Sequence, residues 1–363
     1  MSRPKRSHRS RWLRLFVLVG GVTALAAAYR FALRYRERVG LPRRSSVDTS
    51  PAEFGLAFED VSVPAGDHEL RGWFVAAAGP ETGSASSIER RPAIAVVHGW
   101  ESNRGRTFAH VRYLQAAGFH CLVFDVRGHG DNPPETLPVN VPEFADDTAA
   151  AARWLAARSD VSTVGVLGHS MGAAGALVAA SREPLIRAVV SLSAPADLVR
   201  MTRKTFDIAE MNIPEPIATP LAWITAIVLL TPRRHSLNDA SAIDAAARYR
   251  GPLLLIHGAQ DHGVPVEHLE LIGRAAADQR SDGDPAVETL VLPDYGHRWL
   301  YEDAGFRRRT AVFFATWLGG SVSPEAAGAR AAETIVKRPP DAVYGFGALA
   351  GKTPSADPGA ALP

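Results

Sequence analysis

The chain has 363 residues, of which 46% are apolar and 21% charged, so it is long and apolar enough to bury one sizeable core. Its one cysteine, Cys121, excludes an intramolecular disulfide framework and a cysteine-built zinc site. Residues 1–44 carry a net charge of +11 (12 Lys and Arg, one Glu), and residues 45–363 carry −9. The acidity of this second part argues against nucleic acid as a partner, because a phosphate backbone needs a basic face.

The first predicted element is an apolar helix within residues 1–39. An uncharged run from Leu15 to Tyr29 lies between two groups of basic residues, and Trp12 and Tyr29 suit the interfacial zones of a membrane. Fifteen helical residues span about 22 Å, less than the ~30 Å hydrocarbon core, so the flanking arginines would extend to the headgroups. We predict a single-pass N-terminal membrane anchor with the rest of the chain outside the cytoplasm. The small residues Ala26–Ala28 make a cleaved signal peptide, and hence secretion, the alternative.

Residues 40–54 are predicted to be a linker, and residues 55–318 a domain in which extended and helical segments alternate. Runs such as Ala93–Val97 and Leu253–Ile256 are short, apolar and partly β-branched, as in parallel strands covered on both faces. The sequence predicts an α/β fold with a doubly wound, mostly parallel eight-stranded sheet whose first two strands are antiparallel. The predicted strands are Ala57–Val63, Leu70–Ala76, Pro92–His98, Phe119–Phe124, Val161–Leu167, Ile186–Leu192, Pro252–His257 and Val287–Leu292. The predicted helices are Thr107–Ala117, Glu143–Ala157, Met171–Ser181, Val266–Ala277 and Phe306–Leu318.

Two parts of the chain break this alternation. About 60 residues separate the strand ending at Leu192 from the one starting at Pro252, where a helical crossover needs only about a dozen. We predict a cap insertion at about residues 195–250, whose apolar run Ile217–Leu230 is too short for a second membrane span; a membrane-touching hairpin is the alternative. Residues 319–363 are rich in Ala, Gly and Pro and are predicted to form a disordered tail.

The candidate nucleophile is Ser170, because residues Gly168–Gly172 match the pattern G-x-S-x-G. The motif follows the apolar strand Val164–Leu167 and opens a helix of small residues, which is the strand–turn–helix setting of a nucleophile elbow. Its two glycines let strand and helix approach closely, and the strained turn projects the Ser170 hydroxyl above the sheet.

A serine nucleophile needs a base to take its proton and a carboxylate to hold that base in the correct tautomer. His297 lies in the loop after the last predicted strand, and Asp261 follows the strand before it. We therefore predict a catalytic triad of Ser170, Asp261 and His297. Asp197, which follows the preceding strand, is the reserve candidate for the acid.

The elbow and the chain order Ser…Asp…His resemble the α/β-hydrolase superfamily over about residues 55–318. His98-Gly99-Trp100 resembles the family's HG oxyanion loop, and the resemblance implies an oxyanion hole made by the backbone N–H groups of Trp100 and Met171. Residues Phe124–Gly130 resemble the D-x-R-G-H-G loop of such hydrolases, which we interpret as structural. The segment Leu70–Phe74 and the short cap resemble the bacterial serine-peptidase-like and Bem46-like branch.

These residues predict a serine hydrolase that forms an acyl-enzyme on Ser170, with His297 as general base. The chain has no room for the propeller domain of prolyl-oligopeptidase relatives, so we favour a carboxylic ester or thioester; the apolar cap and the anchor favour a small-molecule acyl or lipid-like substrate. The alternatives are a serine-peptidase-like amide hydrolase and a catalytically idle envelope interaction module. The sequence has no nucleotide-binding pattern. Four histidines are expected near the crevice, His98, His169, His257 and His262, but none shows metal-ligand spacing, so neither a cofactor nor a metal is predicted.

Overall fold

An eight-stranded sheet forms the middle layer of the protein, whose computed structural model describes residues 8–79 and 89–336, with side chains from Trp12 onward. Its strands are β1 (Glu59–Ala65), β2 (His68–Val75), β3 (Arg91–Val97), β4 (His120–Phe124), β5 (Val161–His169), β6 (Ile186–Leu192), β7 (Leu253–Gly258) and β8 (Val287–Leu292). The order across the sheet is β1-β2-β4-β3-β5-β6-β7-β8. β2 is antiparallel to β1 and β4, and the other neighbours are parallel, which confirms the predicted fold class.

Helices cover both faces of this sheet. In chain order they are α1 (His8–Val39), α2 (Phe108–Ala116), α3 (Val141–Ala156), α4 (Met171–Ala180), α5 (Leu198–Ile208), α6 (Glu215–Leu230), α7 (Ala242–Arg248), α8 (Glu267–Asp278), α9 (Ala304–Leu318) and α10 (Pro324–Glu333). α3, α4, α7 and α8 pack on one face, whereas α2, α9 and α10 pack on the other, and each face has its own apolar core.

The run Ala93–Val97 of β3 shows why the middle of a central strand is apolar. Ala93, Ala95 and Val97 belong to one core, whereas Ile94 and Val96 belong to the other, and all five side chains are buried. Because successive side chains point to opposite faces, a strand covered on both faces has no position that reaches water.

The cap lies between β6 and β7, where α5 and α6 follow one another. α5 buries Met201, Thr202 and Phe206 on one face. The helix that follows α6, α7, packs against α4 and α8 as a crossover helix. The two cap helices therefore fall within the predicted range of 195–250, and α7 belongs to the layer beside the sheet.

The N-terminal helix α1 has 32 residues, about twice the length of the apolar run seen in the sequence. Its first part exposes large apolar side chains, and Phe16 is 80% exposed. From Ala28 onward the helix packs on the cap: Ala32 is buried, and the rings of Phe31 and Tyr35 lie 5.7 and 5.6 Å from that of Phe206. The basic residues before residue 8 lie outside the described part of the chain.

Two described helices are long and apolar enough to cross a membrane by length and composition alone, Trp12–Val39 and Glu215–Arg233. A buried core helix and a signal sequence pass the same test. The second helix is longer than the 14-residue run Ile217–Leu230 because Glu215 and Pro216 form its first turn and a 3₁₀ turn continues it beyond Leu230.

Residues 40–54, predicted to be a linker, pack against the domain. The Gly40 carbonyl accepts a hydrogen bond from the Val139 N–H (2.9 Å), and the Asn103 side-chain amide donates to the Ser46 carbonyl (2.9 Å). A 3₁₀ turn, Pro51–Phe54, completes the segment. These polar contacts join residues distant in the chain, so the local composition did not reveal them.

The tail predicted to be disordered over residues 319–363 contains the helix α10, which corrects that prediction in part. Ser323 caps the helix and Pro324 occupies its first turn. A Cβ on Gly328 would lie 2.6 Å from Val312, so only a glycine allows this close approach to α9. The buried Arg307 of α9 donates to the carbonyls of Ala331 and Ala332 in the last turn of α10, and these contacts hold the two helices together. Residues 337–363 lie outside the described residues.

Candidate active site

Ser170 stands in the sharp turn between β5 and α4. Its backbone has φ 55° and ψ −123°, which L residues rarely adopt, and its N–H donates to the Leu192 carbonyl of β6 (2.8 Å). A Cβ on Gly168 would lie 2.4 Å from the Gly172 carbonyl oxygen, and one on Gly172 would lie 2.3 Å from that of His98. Both flanking positions therefore require glycine, as the motif predicts.

The three predicted triad residues meet at the carboxyl edge of the sheet. His297 Nε2 lies 3.0 Å from Ser170 Oγ, and His297 Nδ1 lies 2.6 Å from Asp261 Oδ2. Asp261 follows β7 and His297 follows β8, and parallel strands bring these carboxyl ends to one edge. In the neutral ring whose Nδ1–H donates to the carboxylate, Nε2 is the atom that can accept the serine hydroxyl hydrogen.

The Asp261 carboxyl is buried and fully hydrogen-bonded. Its Oδ1 accepts the N–H groups of Gly263 (3.0 Å) and Val264 (2.8 Å), while His257 Nε2 lies 3.3 Å from Oδ2. Burial alone would raise the pKa of Asp261, but the charge of His297 and the hydrogen bonds from His257, His297 and Val264 hold it well below its ordinary value. This group is therefore an ionised carboxylate.

Asp197, the reserve candidate for the acid, has a different role. It is the N-cap of α5, accepts the Arg200 N–H (2.8 Å) and forms an ion pair with the Arg200 guanidinium. The structure thus brings Asp261, and not Asp197, to His297.

The HG loop lies directly against the nucleophile. A Cβ on Gly99 would lie 3.1 Å from Ser170 Cβ. His98 Nδ1–H donates to the Gly99 carbonyl (2.7 Å), while Nε2 accepts the Val126 N–H (3.0 Å), so this buried ring is held in one neutral tautomer. Burial lowers the pKa of His98, which suits this structural role.

The two predicted oxyanion donors flank Ser170 on separate elements. Trp100 follows the HG loop, Met171 is the first residue of α4, and both line the same cavity as Ser170. A helix N-terminus carries N–H groups without intrahelical partners, so the Met171 position suits a developing negative charge.

The D-x-R-G-H-G loop after β4 is a buried polar network. Asp125 accepts the N–H groups of Arg104 (2.7 Å) and Asp131 (3.0 Å) and forms an ion pair with the Arg104 side chain. Gly130 has φ +51°, and a Cβ there would collide with the Asp125 carboxylate at 2.2 Å. These contacts fix the loop beside the site and agree with its structural interpretation.

His169, the residue before the nucleophile, holds the loop that carries His297. Its Nε2–H donates to the His297 backbone carbonyl (2.8 Å). Burial, and then the neighbouring charge of His297, lower the pKa of His169 to about 3, so the ring stays neutral. The sequence placed His169 near the crevice, but its partner became visible only once the loop after β8 was in place.

A cavity of about 1560 Å³, part of it open to solvent, leads to Ser170. Apolar side chains of the cap, such as Leu198, Met201 and Leu229, form one wall. Tyr35 and Val39 of α1 form another, which the sequence did not predict because α1 was expected to leave the domain. The charged side chains of the lining are Arg38, Arg43, Glu101, Arg106 and Arg298, besides histidines. Within residues 8–79 and 89–336, no group of three or more His, Cys, Asp or Glu is arranged to hold a metal ion.

Comparisons with known proteins agree with this fold. A family model described as serine aminopeptidase, S33, a hydrolase family, matches residues 88–231. The uncharacterized protein Rv2307c of Mycobacterium tuberculosis is 30% identical over 230 residues, which cover 63% of this chain and 68% of that protein. The chain belongs to the α/β-hydrolase superfamily.

Other relatives of this α/β-hydrolase are known by activity or by structure. The lysophosphatidylserine lipase ABHD12 of Xenopus tropicalis is 26% identical over 227 residues, 60% of this chain and 56% of that protein. The Pyrococcus furiosus esterase Pf2001 has the same fold: the TM-score is 0.61 at 22% identity, covering 78% of this chain and 98% of that one. This α/β-hydrolase is accordingly of the serine-hydrolase type, with esterase-like and peptidase-like relatives.

Proposed function

We propose that this α/β-hydrolase cleaves a carboxylic ester or thioester through an acyl-enzyme on Ser170, with His297 as general base and Asp261 as the residue that orients it. The observation that carries the proposal is the unbroken relay of hydrogen bonds from Ser170 Oγ through His297 to Asp261, with distances of 3.0 and 2.6 Å. Such a relay activates a hydroxyl that is a weak nucleophile by itself.

In the first half of the reaction, Ser170 Oγ attacks the carbonyl carbon of the substrate and its proton passes to His297 Nε2. The tetrahedral intermediate collapses, and the leaving alcohol or thiol takes that proton. In the second half, water attacks the acyl-enzyme, gives a proton to Nε2, and the carboxylic acid leaves as Ser170 recovers its hydroxyl hydrogen. Asp261 keeps Nδ1–H in place and stabilises the imidazolium in both halves.

The backbone N–H groups of Trp100 and Met171 are the proposed oxyanion hole. Both residues line the cavity beside Ser170, and Gly99 brings the HG loop into contact with it. Donors held in place before the reaction stabilise the charge that develops on the carbonyl oxygen without any reorganisation.

The cavity favours a lipid-like acyl substrate with an anionic headgroup. Its walls from α5, α6 and α1 are apolar, whereas its charged lining has four arginines and one glutamate. An apolar acyl chain fits the apolar walls, and a phosphate or carboxylate suits the arginines. The relative described as a lysophosphatidylserine lipase acts on a substrate of this class.

The exposed apolar part of α1 is the proposed membrane anchor. Trp12, Phe16 and Leu25 are more than half exposed, and such a surface is stable in lipid but not in water. We place the catalytic domain outside the cytoplasm, with secretion after cleavage near Ala26–Ala28 as the alternative.

A fluorophosphonate probe tests the proposed chemistry. We expect the full-length protein to be labelled, and Ser170→Ala to lose both the label and all turnover of p-nitrophenyl esters, because no other residue supplies the nucleophile. A series of esters of increasing chain length, with a peptide p-nitroanilide included, ranks esters against amides. Labelling that persists in Ser170→Ala would contradict the proposal, and an unlabelled wild-type protein would favour an idle interaction module.

A further inference from the structure

The outer face of the cap helix α6 is apolar and exposed. Four of its residues recur at spacings of four, three and four along one side of the helix, namely Pro216, Pro220, Trp223 and Ile227. Trp223 is 53% and the neighbouring Ile217 55% exposed, and residues 216–232 contain no charged side chain. The opposite face, with Ala218, Ala222 and Ala226, is buried. An exposed apolar stripe of this kind marks a surface that is covered by something else.

This stripe adjoins the proposed anchor. α6 packs against α1, whose burial against the protein begins at Ala28. On the N-terminal side of Ala28, α1 continues with exposed large apolar residues from Leu25 back to Trp12. The helix that carries the stripe therefore packs beside the continuation of the proposed anchor, on the side of the chain that a bilayer would approach.

The charge around the stripe also fits a membrane surface. Residues 30–44, which follow the apolar part of α1, carry one acid, Glu37, and six arginines, which are Arg30, Arg34, Arg36, Arg38, Arg43 and Arg44. Basic residues at this depth attract anionic headgroups, and tryptophan suits the layer between headgroups and acyl chains.

We propose that the outer face of α6, from Pro216 to Ile227, docks into the interfacial layer of an anionic lipid bilayer beside α1. The proposal rests on the proposed anchoring of α1 and, for its second test, on the proposed hydrolysis. Since Tyr35 and Val39 of α1 and Leu229 of α6 line the cavity, docking places the cavity mouth at the bilayer surface. A lipid substrate then enters from the membrane without crossing water.

The first test measures contact with lipid and needs no enzyme activity. Trp223→Cys is labelled with the environment-sensitive dye NBD in the full-length protein, which is reconstituted into vesicles of phosphatidylcholine and phosphatidylglycerol; the native Cys121 is buried. We expect a blue-shifted emission that lipids with a doxyl group near the headgroup quench. The matched control is Ser281→Cys, an exposed position in the loop before β8. This loop lies at the amino end of the strand, whereas the cavity lies at the carboxyl edge of the sheet, so we expect no quenching there.

Two results of this test would overturn the proposal. Contact with the bilayer is excluded if the dye at Trp223→Cys emits as it does in water and is quenched no more than the dye at Ser281→Cys. A blue shift that persists in detergent, together with energy transfer between labelled copies, assigns the stripe to a contact between two copies of the chain.

The second test separates access from chemistry. Trp223→Glu and Ile227→Glu change residues outside the cavity lining. We expect either variant to hydrolyse a long-chain ester embedded in the same vesicles at least about tenfold more slowly, with turnover of soluble p-nitrophenyl acetate unchanged. Equal rates of wild type and variants on the embedded ester contradict the proposal. If wild type hydrolyses neither ester, the proposed function fails, and the dye measurement alone decides the docking.

Discussion

The backbone of Ser170 is held in a rare conformation by its neighbours. The Leu192 carbonyl fixes its N–H, and the glycines at 168 and 172 leave room for the close approach of strand and helix. A backbone conformation of this kind costs of order 1–3 kcal/mol, and the contacts of the surrounding fold must offset that cost. His169 adds a second constraint, because its hydrogen bond to the His297 carbonyl ties the base to the elbow itself.

The assignment of Asp261, rather than Asp197, as the residue that orients His297 can be tested by substituting each in turn. We expect Asp261→Asn to lower kcat by about 10⁴-fold, because an amide at this position no longer selects the Nδ1–H tautomer of His297. Asp197→Asn keeps a capping oxygen on α5 and loses only the ion pair with Arg200, so it should change kcat by less than about tenfold. Steady-state kinetics of both variants on p-nitrophenyl acetate make the comparison.

The opposite ranking of these two variants would assign the acid role to Asp197. Circular dichroism serves as the control for folding, because both aspartates also accept backbone N–H groups.

The residues of the site could largely be predicted from the sequence because each lies in a local pattern. Ser170 stands in a motif with its strand and helix, and His297 and Asp261 follow strands whose carboxyl ends must meet. The choice between Asp261 and Asp197 required the hydrogen bond itself. The role of His169 depends on a loop that is 128 residues away in the chain.

At the scale of elements, strands were predicted better than the ends of the chain. The predicted bounds of β6 and β8 are the observed ones. The length of α1 and the existence of α10 were missed. Phe31, Ala32, Tyr35 and Val39 continue the helix on a face that meets the cap, and that partner is not visible in local composition.

The position of Val39 in α1 leads to a test of the cavity wall. We expect Val39→Trp to lower kcat/KM for long-chain esters at least about tenfold relative to short-chain ones, because the larger ring takes up room lined by Tyr35 and Leu229. The matched control is Leu25→Trp, on the exposed part of the same helix.

An unchanged ratio of the two rates in Val39→Trp would show that α1 does not limit the substrate. A loss that is equal for short and long esters would instead indicate damage to the triad.

Over the whole molecule, several histidines are shielded from water by the fold. Burial lowers the pKa values of His110, His129 and His169 to about 3, against 6.5 for an exposed imidazole. Each ring stays neutral in the fold, whereas in the unfolded chain it takes up a proton below about pH 6.5. The unfolded state therefore binds more protons between these values, which opposes folding in acid.

We expect the stability of the folded chain to be highest above pH 6.5 and to fall steadily as the pH falls toward 3, because these histidines protonate first in the unfolded chain. The urea midpoint of unfolding in detergent, followed from pH 8 to pH 4, measures this. His110→Phe keeps a ring among Tyr113, Tyr301 and Phe306 but cannot titrate, so its midpoint should fall less steeply. Identical slopes for wild type and variant would exclude His110 as a contributor.

If α1 anchors the chain as proposed, its division at Ala28 has a consequence for release from a membrane. The exposed part of the helix ends at Ala26–Ala28, the proposed cleavage site, and Phe31, Tyr35 and Val39 lie beyond it. A protease that cuts there frees the domain while leaving the cavity wall attached. Shedding would then yield a soluble enzyme with an unchanged cavity, whereas a cut near residue 40 would take one wall of the site away.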